Sequence, residues 1–220
     1  MRPAGVLKRA LRLAAALLAL AAAAAVAAAG YGWLRAPALA AREMALAPDP
    51  LEAGDLPPDW IDALLQVEDP TFLDHHGIDL TTPGAGMTTL TQGLAKFLYF
   101  DSFRPGLAKI PQSLFALGLD ARLDKDRQLA LFLNRSYMGT IEGRAVRGFQ
   151  EAARAYFGRP APKLDKREWL ALVAMCAGPD AYNVAARPDH NRRRVARIER
   201  LLAGSCRPSG VRDVHYEDCD

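Results

Sequence analysis

Residues Leu13 to Leu34 contain no charged side chain, and that run of 22 residues limits the fold more than anything else in the chain. As a helix it would rise about 33 Å, enough to cross the hydrocarbon core of a bilayer. Arg2, Lys8, Arg9 and Arg12 precede it and Arg35 closes it. Tyr31 and Trp33 sit where interfacial aromatic anchors belong. Cations before the span place the N-terminus on the cytoplasmic side and the remainder outside. The alanine-rich "AAAAVAAAG" also suits a signal peptidase, so a cleaved signal is the first alternative and a buried helix the second. The expected organisation is a basic cytoplasmic segment (1–12), a single membrane anchor (13–34), a linker (35–58), a helical domain (59–204) and a tail (205–220).

The formal net charge is +3 with a pI of 8.8. The four N-terminal cations account for +4, which leaves the exported part near −1. The basicity therefore belongs to the membrane signal, and no nucleic-acid partner is expected. Cys206 and Cys219 share a Pro/Gly/Asp-rich tail and would form a disulfide in an oxidising compartment. Cys176, inside "WLALVAMCAG", reads as a small buried hydrophobe.

Beyond the Pro- and acid-rich stretch Leu46–Asp59, apolar residues recur at helical spacing. "DWIDALLQVED" is stopped by Pro70, and "TTLTQGLAKFLY" has a threonine near its N-cap. "GLAKIPQSLFALGLDARL" tolerates Pro111 in a first turn or at a kink. "KDRQLALFLNRSYMG" would stop at Gly139 and "AVRGFQEAARAYFG" at Gly158. "LDKREWLALVAMCAG" opens with Asp165 and Glu168 at capping-box spacing. No stretch alternates as a strand does, so the expected class is mainly α.

Two clusters have the composition of a site. In "VEDPTFLDHHGID" (Val67–Asp79), Glu68 ends an amphipathic helix, where partial desolvation would raise its pKa and suit it to accept a proton. Read alone, Glu68 and Asp69 equally describe a solvated helix end. His75 and His76 lack a third ligand at suitable spacing, so no metal site is expected. Lys96, Arg104 and Lys109 surround the aromatic "FLYFDSFRPG", a pattern that suits phosphate or pyrophosphate or simply a solvated cationic face.

In order, these stretches resemble the peptidoglycan glycosyltransferases of glycosyltransferase family 51. Glu68, Asp69, Phe72, His75, Gly77 and Asp79 match every fixed position of that family's E-D-x-x-F-x-x-H-x-G-x-D motif. "GMTTLTQGLAKF" keeps Gly86, Thr89, Thr91, Gln92 and Lys96 of its second motif. "KDRQLALFLNRSYMG" is similar to a later landmark. In the third motif, R-K-x-x-E, Lys109 is kept, but Ala108 replaces the arginine and Gln112 the glutamate.

The resemblance implies a lysozyme-like helical transglycosylase domain behind one transmembrane helix, in the cytoplasmic membrane with the domain outside. Its substrate would be the lipid-linked disaccharide-peptide precursor of the cell wall. Glu68 would be the base, with Asp69, His75 and Gln112 in support. Thr89, Gln92, Lys96, Arg104 and Lys109 would bind substrate and its departing pyrophosphate. With Gln112 uncharged, a divalent cation would be held only weakly, and no cofactor is expected. Other wall-synthesis proteins are expected partners. The missing acid leaves open a degenerate, non-catalytic scaffold that binds precursor or glycan, and a lysozyme-like fold leaves open a glycan-cleaving enzyme.

Overall fold

Trp169 to Met175 are apolar around the whole circumference of a helix, and such a helix must lie inside a protein. In the computed structural model of the chain, which describes residues 3–220, all seven are buried. Arg2, counted above among the leading cations, lies outside the described residues. The chain forms eight helices among the described residues, labelled in order: α1 (Pro3–Ala45), α2 (Pro58–Glu68), α3 (Leu90–Tyr99), α4 (Lys109–Asp120), α5 (Lys125–Arg135), α6 (Phe149–Phe157), α7 (Lys166–Cys176) and α8 (Pro188–Leu202).

Helix α7 is the axis of the fold. Its N-terminal amides are satisfied by the expected Asp165–Glu168 capping box. Trp60 of α2 stacks on Trp169 with ring centres 5.3 Å apart and accepts the indole N–H on its backbone oxygen at 2.9 Å. Phe149 of α6 closes on the same indole at 4.8 Å. From α8, the Asn191 amide donates to the carbonyls of Ala171 and Tyr182. The tryptophan pair holds the first turn of α2, the helix that ends at Glu68, against α7.

Pro111 falls in the first turn of α4, and Gly158 caps α6 in the left-handed conformation, both as expected. Helix α5 instead ends at Arg135, and Gly139 does not stop it. The segment that follows corrects the expectation of no strands. Tyr137–Ile141 (β1) and Arg144–Arg147 (β2) pair antiparallel, with Ile141 opposite Arg144. Glu142 and Gly143, both at positive φ (50° and 77°), make the two-residue turn that such a hairpin requires.

The first helix does not end with the apolar run. It continues through Pro37 to Ala45, into residues expected as linker. Its outer part stands clear of the domain, with Leu13, Leu17, Leu18, Leu20 and Val26 exposed. The stretch from Gly5 to Ala45 is long and apolar enough to cross a membrane, with a mean hydropathy of 2.3 in its most apolar window. Its inner part lies against α4, with Ala36 and Ala40 fully buried. Small residues allow the backbones to touch: a Cβ on Gly118 would come 2.0 Å from the Ala29 oxygen, and one on Gly32 would come 2.8 Å from the Phe115 oxygen. Tyr99 donates its hydroxyl to the Gly32 carbonyl at 2.6 Å, and the Arg122 guanidinium covers the Trp33 ring at 4.8 Å. Tyr31 and Trp33, expected as interfacial anchors, pack on the domain: the Tyr31 ring lies 6.2 Å from Tyr99 and 5.7 Å from Phe115.

The stretch after α1 is ordered by the core. Asn134 donates to the Leu51 oxygen and accepts the Leu51 amide, and Leu51 and Leu56 are buried.

Gly118→Ala is expected to push α1 off α4 at a cost on the order of 1–3 kcal/mol. Thermal unfolding in detergent should show it as a drop of about 2–4 °C per kcal/mol. Gly30→Ala, where a Cβ would meet nothing, is the control. Equal melting of the two variants would contradict the close helix contact.

Candidate active site

Asp69 ends α2, and its carboxylate is fully buried. It accepts the backbone N–H of Leu90, the first residue of α3, at 2.8 Å. It also receives His75 Nε2 at 3.0 Å from each oxygen. The Gly77 N–H donates to His75 Nδ1 at 3.0 Å, so that nitrogen is unprotonated and Nε2 carries the proton that Asp69 accepts. Gly77 has a φ of +85°, and a Cβ there would come 2.8 Å from the Ala116 backbone oxygen, so only glycine fits. The Gly77 carbonyl accepts the Thr89 hydroxyl. Asp79 collects the Thr71 and Thr81 hydroxyls and the Thr81 and Thr82 amides. Burial works to raise its pKa, but hydrogen bonds from Thr71, Thr82 and Thr81 prevail and hold it far below the usual carboxylate range. Asp69, His75, Gly77 and Asp79 are therefore scaffolding, which leaves Glu68 as the side chain this motif presents.

Glu68 lines a cleft of about 980 Å³ between the end of α2, the start of α3, α4, β1 and α8. Its side chain is 18% exposed. Burial raises its pKa to about 7; the Arg194 guanidinium opposes the shift and the neighbouring Asp69 charge adds to it. Arg194 approaches Glu68 at 3.9 Å and is itself buried. It is held by the Ala174 and Val214 carbonyls at 3.1 and 2.7 Å, beneath the rings of Tyr182 and Tyr216. Nothing in the sequence marked Arg194 among the basic residues of α8. Only the three-dimensional approach of α8 to α2 singles it out.

Lys96 and Lys109 line the same cleft, and Lys109 Nζ contacts the Thr88 hydroxyl at 3.0 Å. Arg104 is exposed and does not line it. Thr89 lines the cleft, but its hydroxyl is engaged by the Gly77 oxygen and the Gln92 amide. Gln92 is buried, with its oxygen on the Thr89 amide and its nitrogen on Ser113. These two side chains form the α3 capping box, so the geometry gives them a structural task where substrate contacts were expected. Gln112 borders the cleft 1% exposed, and its amide donates to the Gln92 carbonyl at 2.8 Å.

Cys176, expected as a core hydrophobe, also borders the cleft. Phe97, Phe100, Phe103 and Phe132 supply its apolar wall. Among the described residues, no three His, Cys, Asp or Glu side chains gather as a metal would require. Gln112, tied to the α3 backbone through its amide nitrogen, brings no charge to the cleft and is a weaker ligand for a hard cation than a carboxylate. The arrangement suits general-base chemistry beside an anion held by cationic side chains.

A family model described as Transglycosylase matches residues 38–203. The chain is 36% identical over 155 residues to penicillin-binding protein 1B of Escherichia coli (strain K12), covering 64% of this chain and 18% of the relative. It is 33% identical over 165 residues to penicillin-binding protein 1B of Vibrio cholerae serotype O1, covering 69% and 21%. It is 32% identical over 167 residues to penicillin-binding protein 1A of Pseudomonas aeruginosa, covering 70% and 20%. The chain thus spans about a fifth of the length of these curated relatives. With the family match spanning most of a mainly helical domain built around α7, the chain belongs to the transglycosylase family.

Proposed function

We propose that the chain is a peptidoglycan glycosyltransferase that polymerises the lipid-linked disaccharide-peptide precursor and releases undecaprenyl pyrophosphate. The observation that carries this reading is a largely buried Glu68, its pKa raised by burial to about 7, in one cleft with Lys96 and Lys109. Glu68 takes the proton of the attacking acceptor hydroxyl as the glycosidic bond forms. The bond from the anomeric carbon to the pyrophosphate oxygen breaks, and the two lysines stabilise the leaving charge. Arg194 limits how far burial raises the Glu68 pKa, which keeps the carboxylate available near neutral pH.

The phenylalanine wall and the exposed Leu107 and Ile110 before and within α4 suit a substrate whose lipid tail stays in a bilayer. The apolar helix α1 docks on the second half of α4, at Phe115 and Gly118. This reading places the chain in the cytoplasmic membrane with its domain outside. Gln112, where the family has an acid, favours one competing reading: a scaffold that binds precursor without turning it over.

Glu68→Gln is expected to reduce polymer formation by about 10²–10⁴-fold, the contribution typical of a positioned base. The assay is a gel of glycan chains made from labelled precursor. Precursor binding with no polymer from the parent chain would favour the scaffold, and shortening of preformed glycan would favour a lytic enzyme.

The rate should rise with pH through about 7, as Glu68 loses its proton, and then level off. A rate already at its plateau at pH 5.5 would contradict that assignment.

Stability should move the other way. The folded pKa is raised, so folding is favoured while the unfolded carboxyl is still protonated. The penalty grows as pH passes the unfolded value, and it is complete above about 7. Glu68→Gln is therefore expected to stabilise the protein at pH 8 by on the order of 2–3 kcal/mol, and little at pH 4. Denaturant unfolding at the two pH values checks the sign.

A further inference from the structure

Residues 204–220 lie outside the family match, yet they supply part of the wall around Glu68. Tyr216 is 1% exposed, and its hydroxyl donates at 2.5 Å to the carbonyl of Val67, the residue before Glu68. Its ring lies 5.4 Å from the Arg194 guanidinium, which faces Glu68. The Val214 carbonyl accepts Arg194 Nη1, and the Val214 side chain lines the cleft against Gly86. A turn of the same segment receives the Gly84 and Gly86 amides on the Gly210 and Val211 oxygens, at 3.0 and 2.8 Å. The segment thus touches Glu68's helix end, its guanidinium neighbour and the glycine loop before α3.

One disulfide and two arginines of α8 hold it there. The Cys206–Cys219 disulfide closes the segment, with Cα atoms 5.5 Å apart. From α8, Arg197 pairs with the Asp220 carboxylate and Arg200 donates to the Cys219 oxygen. Tyr216 itself sits at a φ of +53°, a conformation that a bulky residue adopts only when its surroundings impose it.

We propose that Tyr216, in the disulfide-closed segment 205–220, is a positioning residue for Glu68: it fixes the last turn of α2 and keeps water from the carboxyl and from Arg194. The proposal rests on Glu68 being the base. The charged and titratable groups around that carboxyl are Asp69 on α2, Arg194 on α8, Cys176 on α7 and Tyr216 on the tail, with Lys96 and Lys109 further along the cleft. Releasing the segment hydrates the carboxyl and lets Arg194 move away; the first change lowers the Glu68 pKa and the second raises it, and burial is the larger of the two causes.

The test compares the full chain with Tyr216→Phe and with the double variant Cys206→Ser/Cys219→Ser, each checked for folding by circular dichroism. Polymerisation of labelled precursor is followed against pH. The expected result for the double variant is a kcat at least 5-fold lower with KM within 2-fold, and an acid limb displaced to lower pH because burial no longer holds the carboxyl up. Tyr216→Phe keeps the ring and loses the hydrogen bond, so its kcat should fall less, with the limb unmoved.

A second readout does not depend on turnover. Cys176 is the one free thiol among the described residues and borders the same cleft. Its alkylation by a small neutral maleimide should speed up at least 5-fold in the double variant. Folded variants with unchanged kcat, unchanged acid limb and unchanged alkylation would overturn the proposal. If the parent chain makes no polymer, the proposed activity fails, and the alkylation rate alone decides the role of the segment.

Discussion

The buried carboxylate of Asp69 is the interaction on which the site depends. It accepts the first amide of α3 and the Nε2 proton of His75 while closing the end of α2. An ionised acceptor with charged-group hydrogen bonds is worth more than a neutral one, on the order of 1.5–3 kcal/mol for each bond. Removing it would leave buried donors on two elements without a partner. Because three elements meet at that one group, the direction in which Glu68 leaves α2 is set by the fold. The capping box of α3 and the Gly77 turn extend the same network towards α4, where Gln112 and Lys109 lie.

The cleft shows a division of labour between two adjacent acids. Asp69 is fully committed to hydrogen bonds, whereas among the described residues no side-chain hydrogen bond engages Glu68 and Arg194 stands 3.9 Å away. Burial without hydrogen-bond compensation costs stability, and that cost is the source of the raised pKa. Such a group is an expected sacrifice at a site that must move a proton near neutral pH. The chain places it at the end of a helix locked by Trp60 on Trp169, so the surroundings can bear the cost.

Much of this was legible in the sequence where the signal is local. Glu68, Asp69 and His75 fall within eight residues, and the helices announce themselves through Asp165 and Glu168, Pro111 and Gly158. The family resemblance joined those pieces in the right order. What stayed hidden is long-range. The threonine cap of α3 was legible, but not that Gly77 would take up the Thr89 hydroxyl and Ser113 of α4 the Gln92 amide, which turns both side chains away from a ligand. Arg194 is one of several arginines in α8, distinguished by its burial against α2. The hairpin was missed because Glu142, a residue with no bias for positive φ, takes the left-handed turn position ahead of Gly143. The continuation of α1 past its apolar run rests on groups far away in the chain: Ala36 and Ala40 are buried, and Glu43 pairs with Arg135 of α5.

The central claim is that the fold, through burial, makes Glu68 a base suited to neutral pH. The most direct test is a carboxyl-carbon NMR titration of the full chain in detergent, labelled at glutamate and assigned with Glu68→Gln. The account predicts that the Glu68 resonance titrates with a midpoint near 7. A midpoint near the ordinary glutamate value of about 4.3 would contradict it.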